Sequence, residues 1–194
     1  MIMSNKVWNY KLRGLGGVIY NFSGILLSRI LNFFFFTINK GNFQKLGKGT
    51  KIYRGLVYRY PGNIQIGKNC IINKNVTMGS ELNDSLLKIS NNVSIAQNVK
   101  LDFTGGLIIK DNVTISENVS VFTHDHGFNP RSTPEKKELI IEENVWIGSN
   151  AIILQNVSII KKNAIIAAGA VVTKNVEKDI VVGGNPAKLI KKIN

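Results

Sequence analysis

The sequence predicts an all-β solenoid of stacked triangular turns, preceded by an apolar helical segment and followed by a short tail. Three observations carry that prediction. Aliphatic residues recur every six positions in blocks of three: Ile66/Ile72/Met78, Ile89/Ile95/Leu101, Ile109/Ile115/Val121, Ile141/Ile147/Ile153 and Ile160/Ile166/Val172. Four positions after each comes a small residue or valine, from Cys70 and Val76 through Gly105 to Ala170 and Val176, with only Leu82 and Asp125 breaking the series. The position before the small residue is usually asparagine, as at Asn69, Asn75, Asn112, Asn118, Asn150 and Asn156.

Asparagine and glycine tolerate a left-handed backbone, so the third observation predicts a sharp corner every six residues with a short strand between corners. Three hexads close one turn, and stacked turns bury an aliphatic column that a single turn cannot bury. A six-residue period drifts off every face of an α-helix, which excludes an amphipathic helical array. A weaker block, Leu46/Ile52/Tyr58, extends the repeat toward the amino terminus.

Departures from the period locate the loops. The step between blocks is eleven from Met78 to Ile89, eight from Leu101 to Ile109, twenty from Val121 to Ile141 and seven from Ile153 to Ile160. The largest insertion, loop 127–138, starts directly after the only two histidines of the 194-residue chain, His124 and His126. Loops thrown out of a rigid solenoid commonly carry function. The expected organisation is a basic, apolar segment over 1–45, a solenoid over 46–183 and a tail over 184–194.

The charge is lopsided. Residues 1–80 hold twelve Lys/Arg and no Asp or Glu, whereas residues 81–194 hold thirteen basic and twelve acidic residues. The net +13 therefore belongs to one end, which predicts an anionic surface met by that end. In the same region VIYNFSGILLSRILNFFFFTI, residues 18–38, reads as a helix with a narrow polar stripe of Asn21, Ser28, Asn32 and Asn39. It suits either a cap on the solenoid's open end or a helix lying in a membrane interface flanked by Lys6, Lys11, Arg13, Lys40 and Lys45. The basic residues are interleaved with apolar residues more than with stacking platforms, which makes nucleic-acid binding a weaker reading. The single cysteine, Cys70, rules out a disulfide framework.

His124 occupies the slot that is asparagine elsewhere, and Asp125 the slot that is otherwise small. A chain that breaks its own rule where it places its histidines marks a functional site. A catalytic zinc would need three protein ligands, and two histidines with no third do not meet that requirement, so no metal is expected. Acid–base chemistry fits better, because an imidazole can accept a proton from a hydroxyl that attacks a carbonyl. Asp102 follows Leu101, one rung below Val121 on the same face, and stands where it could orient His124.

The runs TGGLIIKDNVTISENVSVFTHDH, ENVWIGSNAIILQNV, IIAAGAVVTKNV and GGNPAKLI give the chain a close resemblance to the hexapeptide-repeat acyltransferases. It resembles the sugar O-acetyltransferases of the galactoside and maltose group, and more closely still those that decorate bacterial surface polysaccharides. The resemblance implies a left-handed parallel β-helix, a homotrimer, acetyl-coenzyme A as acyl donor and a carbohydrate acceptor. It implies that His124 is the general base, with Asp102, Asp125 and His126 on the acceptor side. For the donor it implies contacts from Trp146, Ser149, Ala168, Thr173 and Lys174, with Lys188 and Lys191 near the adenosine phosphates. The expected location is cytoplasmic, with a peripheral place on the inner face of the cell membrane if residues 1–45 meet lipid. Amino-sugar or antibiotic acetylation on the same fold, serine acetylation and a non-enzymatic scaffold are the competing readings. The extra residue between Ile153 and Ile160 leaves the register of 158–162 open.

Overall fold

The computed structural model describes residues 15–193, with side chains from residue 22 onward. Lys6, Lys11 and Arg13 lie outside the described residues, as does the side chain of Asn21.

The predicted repeat folds into a parallel solenoid of six complete turns with three flat faces. Face 1 stacks Lys45–Leu46, Ile64–Ile66, Leu87–Ile89, Leu107–Ile109, Leu139–Ile141 and Ile159–Ile160. Face 2 stacks Lys51–Ile52, Ile71–Ile72, Ser94–Ile95, Thr114–Ile115, Trp146–Ile147 and Ile165–Ile166, and face 3 stacks Val57–Tyr58, Thr77–Gly79, Lys100–Asp102, Ser120–Val121, Ile152–Ile153 and Val171–Val172. Val176 bridges Ile160 and Ile180–Gly183 extends face 2, which begins a seventh turn. The tail strand Lys188–Lys192 then folds back antiparallel on Ile180–Gly183.

Strict register makes the column. Ile115 lies between Ile95 and Ile147, and Val121 between Leu101 and Ile153, so each turn's inward aliphatic residue meets its counterparts above and below. All fifteen aliphatic residues of the five clear blocks are at most 2% exposed. Burying one such side chain stabilises the fold by about 1.5–3 kcal/mol, so a single turn's worth of carbon is decisive for its neighbours. The weaker first block is a true turn, with Leu46 beside Ile66, Ile52 beside Ile72 and Tyr58 beside Met78.

Corners 1 and 2, after faces 1 and 2, are left-handed as expected. Asn69, Asn75, Asn92, Asn98, Asn112, Asn118, Asn144, Asn150 and Asn163 have φ between 55° and 61°. Corner 3 departs from the expectation: Asn156 and Asn175 are not in the left-handed region. The reason is length. Every departure from the six-residue step falls after face 3, so the chain there has residues to spare and its turns, such as the one Val157 N closes on the Leu154 carbonyl (3.0 Å), need not repeat the left-handed corner. The extra residue before Ile160 is absorbed in that corner, where Asn175 Oδ1 accepts hydrogen bonds from Ser158 N (2.8 Å) and Ile159 N (3.2 Å). Ile159 and Ile160 then sit in register with Ile140 and Ile141.

The helix α1 (Leu15–Asn39) lies against the first turn. Its covered residues are Ser28, Asn32, Phe35, Phe36 and Asn39, spaced as one helical stripe. Phe35 and Phe36 pack on the end of the aliphatic column, beside Phe43 and Tyr58. Asn32 Oδ1 accepts from Arg54 N (3.2 Å), and Asn39 Oδ1 accepts from the Tyr58 hydroxyl (2.6 Å). The carboxyl-terminal part of α1 is thus a cap, fastened by the polar stripe.

Candidate active site

The third corner of turns two to four brings Glu81, Asp102 and His124 together. Face 3 places Asp102 at the end of Lys100–Asp102 and Val121 directly above Leu101. Two residues past Val121 the chain leaves the face, and His124–Asp125 pairs antiparallel with Glu135–Lys136 at the root of loop 127–138. Gly105 makes that exit possible, because a Cβ there would collide with the Thr123 carbonyl and the Lys137 backbone. Phe128, near the tip, is fully exposed.

His124 is held from one side. Its Nδ1 lies 2.9 Å from Asp102 Oδ2. An ionised carboxylate only accepts hydrogen bonds, so Nδ1 carries a proton, and the neutral form of the ring has its lone pair on Nε2. Asp102 is itself fixed by buried threonines. Its Oδ1 accepts from Thr104 N (3.1 Å) and Thr104 Oγ1 (2.6 Å), and its Oδ2 accepts from Thr123 N (2.6 Å) and Thr123 Oγ1 (2.9 Å). Burial alone would push the Asp102 carboxyl upward, but the hydrogen bonds from Thr104, Thr123 and His124 outweigh it and hold the group below the usual carboxylate range. Asp102 therefore stays ionised at neutral pH and keeps the imidazole in one tautomer.

On the open side, His124 Nε2 is 3.4 Å from Glu81 Oε1, and His126 Nε2 is 3.4 Å from Glu81 Oε2. The imidazole rings meet edge-on at 5.2 Å. His126 Nδ1 is 2.8 Å from the Ser132 carbonyl, which ties the second histidine to the loop. That hydrogen bond, opposed by partial desolvation and aided by the Glu81 carboxylate, raises the affinity of His126 for its proton. A cleft of about 300 Å³ opens beside His124, lined by Arg59, Thr77, Glu81, Lys100, Asp102 and Phe122 among others. Its size suits a sugar ring.

The structure gives Asp125, expected on the acceptor side, another position. Neighbouring residues of a strand point to opposite sides, so Asp125 faces away from the cleft that His124 lines. Its carboxylate accepts from Gly127 N (2.7 Å) and Gln155 Nε2 (2.8 Å) and braces the loop. The expected donor contacts lie elsewhere on the solenoid. Trp146 stands on face 2, half exposed, with its Nε1 donating to Ser116 Oγ at 3.0 Å. Ser149 and Ala168 occupy corner 2, where the Gly169 N–H donates to the Ser149 carbonyl (2.8 Å). Thr173 and Lys174 follow face 3 of turn six, and Lys188 and Lys191 are exposed on the tail strand. None of the seven borders the His124 cleft.

Glu81, Thr104 and Thr123 were not foreseen from the sequence. For Glu81 a signal was present: Leu82, the other break in the small-residue series, directly follows it, as Asp125 follows His124. Glu81 also adds a third donor to the two histidines, all within 4.8 Å of one another. A cation held by that set would take the Nε2 lone pair that a base needs, so metal binding and base catalysis at His124 exclude each other.

No family model matches the chain. The chain is 30% identical to the galactoside O-acetyltransferase of Escherichia coli (strain K12) over 155 residues, covering 80% of the chain and 66% of that relative. It thus spans just under two thirds of the relative's length. A mutant of AntD, an N-acyltransferase from Bacillus cereus in complex with dTDP and coenzyme A, superposes with a TM-score of 0.72 at 22% identity, over 81% of this chain and 89% of that one. A hexapeptide-repeat-containing acetyltransferase from Vibrio cholerae O1 biovar eltor, complexed with acetyl-coenzyme A, gives 0.59 at 22% identity, over 95% and 93%. The chain belongs to the hexapeptide-repeat acyltransferase family. Its solenoid is the left-handed parallel β-helix expected of that family.

Proposed function

We propose that the chain is an acetyl-coenzyme A-dependent O-acetyltransferase acting on a sugar hydroxyl, with His124 as general base. The observation that carries this reading is the His124–Asp102 pair, with Nδ1 committed to a fixed carboxylate and Nε2 open to a sugar-sized cleft. As the acceptor oxygen bonds to the thioester carbonyl carbon, its proton passes to Nε2. Collapse breaks the carbon–sulfur bond, and the same proton goes to the departing sulfur. Glu81 and His126 stand at the cleft rim, where they would hydrogen-bond neighbouring hydroxyls of the acceptor. A hydroxyl needs a base to lose its proton during attack, whereas an unprotonated amine already offers its lone pair. The oriented imidazole therefore favours oxygen over the nitrogen acylated by the N-acyltransferase AntD.

The separation of the two surfaces supports a homotrimer. His124 and the Trp146, Ser149 and Ala168 surface lie on different parts of one solenoid, so a donor touching both would lie between two chains. An acceptor from bacterial surface polysaccharide assembly, met in the cytoplasm, rests on the resemblance of residues 104–126 and 143–190.

The decisive experiment offers labelled acetyl-coenzyme A with neutral sugars, nucleotide sugars and amino sugars. Acetyl esters labile to hydroxylamine, with matching thiol release, are expected. Amides alone would overturn O-transfer, and no thiol release with any acceptor would favour the scaffold reading. Sedimentation at micromolar concentration should give three times the 21.5 kDa chain, and a fully active monomer would sink the shared-site model.

A further inference from the structure

The helix α1 is amphipathic in the inverted sense. Its polar residues Ser28, Asn32 and Asn39 face the solenoid, and two of them are consumed in hydrogen bonds to the first turn. Its outward surface carries Phe22, Leu27, Phe34 and Ile38, each more than half exposed. A soluble protein rarely leaves so large a contiguous apolar surface in water. The stretch Phe22–Asn39 is also long and apolar enough to cross a bilayer, yet Asn32, Asn39 and the packed Phe35 and Phe36 fasten it along the solenoid. A fastened helix with one apolar side fits a membrane interface better than a span.

We propose that this outward face docks the protein on an anionic lipid bilayer, with α1 lying in the interface. Charge selects the occupant. Arg29, Lys40, Lys45, Lys48, Lys51 and Arg54 are exposed on α1 and the first turn, and no carboxylate occurs in residues 1–80. A second copy on this face would bring two such basic surfaces together, because a two-fold contact pairs each patch with itself. Anionic headgroups complement the basic residues, and the acyl boundary accepts the phenylalanines and isoleucines. The cleft beside His124 reaches down face 3 through Lys100 and Thr77 to Arg59 of the first turn, so a docked enzyme would open its acceptor side toward the bilayer. The docking itself does not depend on the acetyltransferase reading.

The test uses the full chain and vesicles of phosphatidylcholine alone or with phosphatidylglycerol at about three parts in ten. Cosedimentation is expected only with the anionic vesicles, with partial release at high salt. The double variant Phe34→Ser, Ile38→Ser alters only outward side chains. It should weaken vesicle binding by at least about tenfold while keeping the β-sheet spectrum and melting temperature. Full-length protein that ignores anionic vesicles would overturn the proposal. So would a double variant that binds them as tightly as the parent while dissociating from a larger assembly, since a second copy would then be the occupant.

Discussion

Along corner 1, Asn92, Asn112, Asn144 and Asn163 stand one above another, each side-chain amide donating to the next at 3.1–3.2 Å, and Asn163 ends the row on Asp179. Corner 2 repeats the device through Asn75, Asn98, Asn118 and Asn150. Along corner 3 the corresponding positions in turns two to four hold Glu81, Thr104 and His124, and every insertion of the solenoid leaves from there. The first two corners spend their polar side chains on each other. In the third, the side chains are fixed from behind by Thr104 and Thr123 and left open in front. Two corners therefore keep the pitch of the solenoid, and the variation needed for chemistry is confined to the third.

The sharpest way to break this division is to change one residue of each kind. His124→Ala should lower kcat by about two to four orders of magnitude, the scale of a lost general base, with coenzyme A binding nearly unchanged. His126→Ala should cost less, and Asp102→Asn should fall between them, since it keeps the shape but loses the tautomer control. Steady-state kinetics with isothermal titration of coenzyme A checks the set. A dead His126→Ala beside an active His124→Ala would reverse the assignment.

The opposite result is expected in corner 2. Asn118 has φ 60° and both donates to Asn150 and accepts from Asn98, each at 3.1 Å. Asn118→Ala places a Cβ in the left-handed region and removes both contacts, for a loss of about 2–3 kcal/mol of stability. Asn118→Gly keeps the backbone and should lose less. Both variants should keep the kcat of the parent at temperatures where they are folded. Thermal melts followed by assays below the transition decide it, and a large fall in kcat in folded Asn118→Gly would dissolve the distinction between corners.

The difference between corners also explains what could be read from the sequence. Six-residue spacing and the asparagine slots are local, so Ile66 to Val172 and the first two corners were legible in full. The partnership of Asp102 with His124 was legible too, because stacked turns convert a spacing of twenty-two residues into one rung. Corner 3 obeys no period, and its partners are set by tertiary contacts. Thr104 and Thr123 look like ordinary turn residues, and Asn156 looks like a corner asparagine although its backbone is not left-handed. The inverted face of α1 was equally hidden: the stripe was visible, but only the packing of Phe35 and Phe36 reveals which side meets the solenoid.

The smallest expected effect concerns how firmly loop 127–138 is tied to corner 3. His126 Nδ1 meets the Ser132 carbonyl, and Ser132 Oγ donates to the His126 carbonyl at 2.8 Å, so the histidine closes the loop on itself. The Ser132 contact raises the His126 pKa above its ordinary value, with partial desolvation opposing and the Glu81 and Asp125 carboxylates assisting. A folded-state pKa above the unfolded one means the protonated form binds the loop better. That contribution is complete below the unfolded value and is lost as pH rises through the folded value. Asp102 works in the opposite sense. Its folded pKa is depressed, so its contribution is present above the unfolded carboxylate value and vanishes only as pH falls through the folded one, well on the acid side. The pH ranges over which the two contributions are lost do not overlap, and between them both are present. Amide exchange of residues 127–134, corrected for its intrinsic pH dependence, should therefore be slower on the acid side of the histidine range than on the basic side. The difference should be modest, because Glu81 is half exposed and salt screens it. His126→Gln should flatten the profile while leaving exchange in corners 1 and 2 untouched. A profile as steep in His126→Gln as in the parent would show that the loop is held by something other than its histidine.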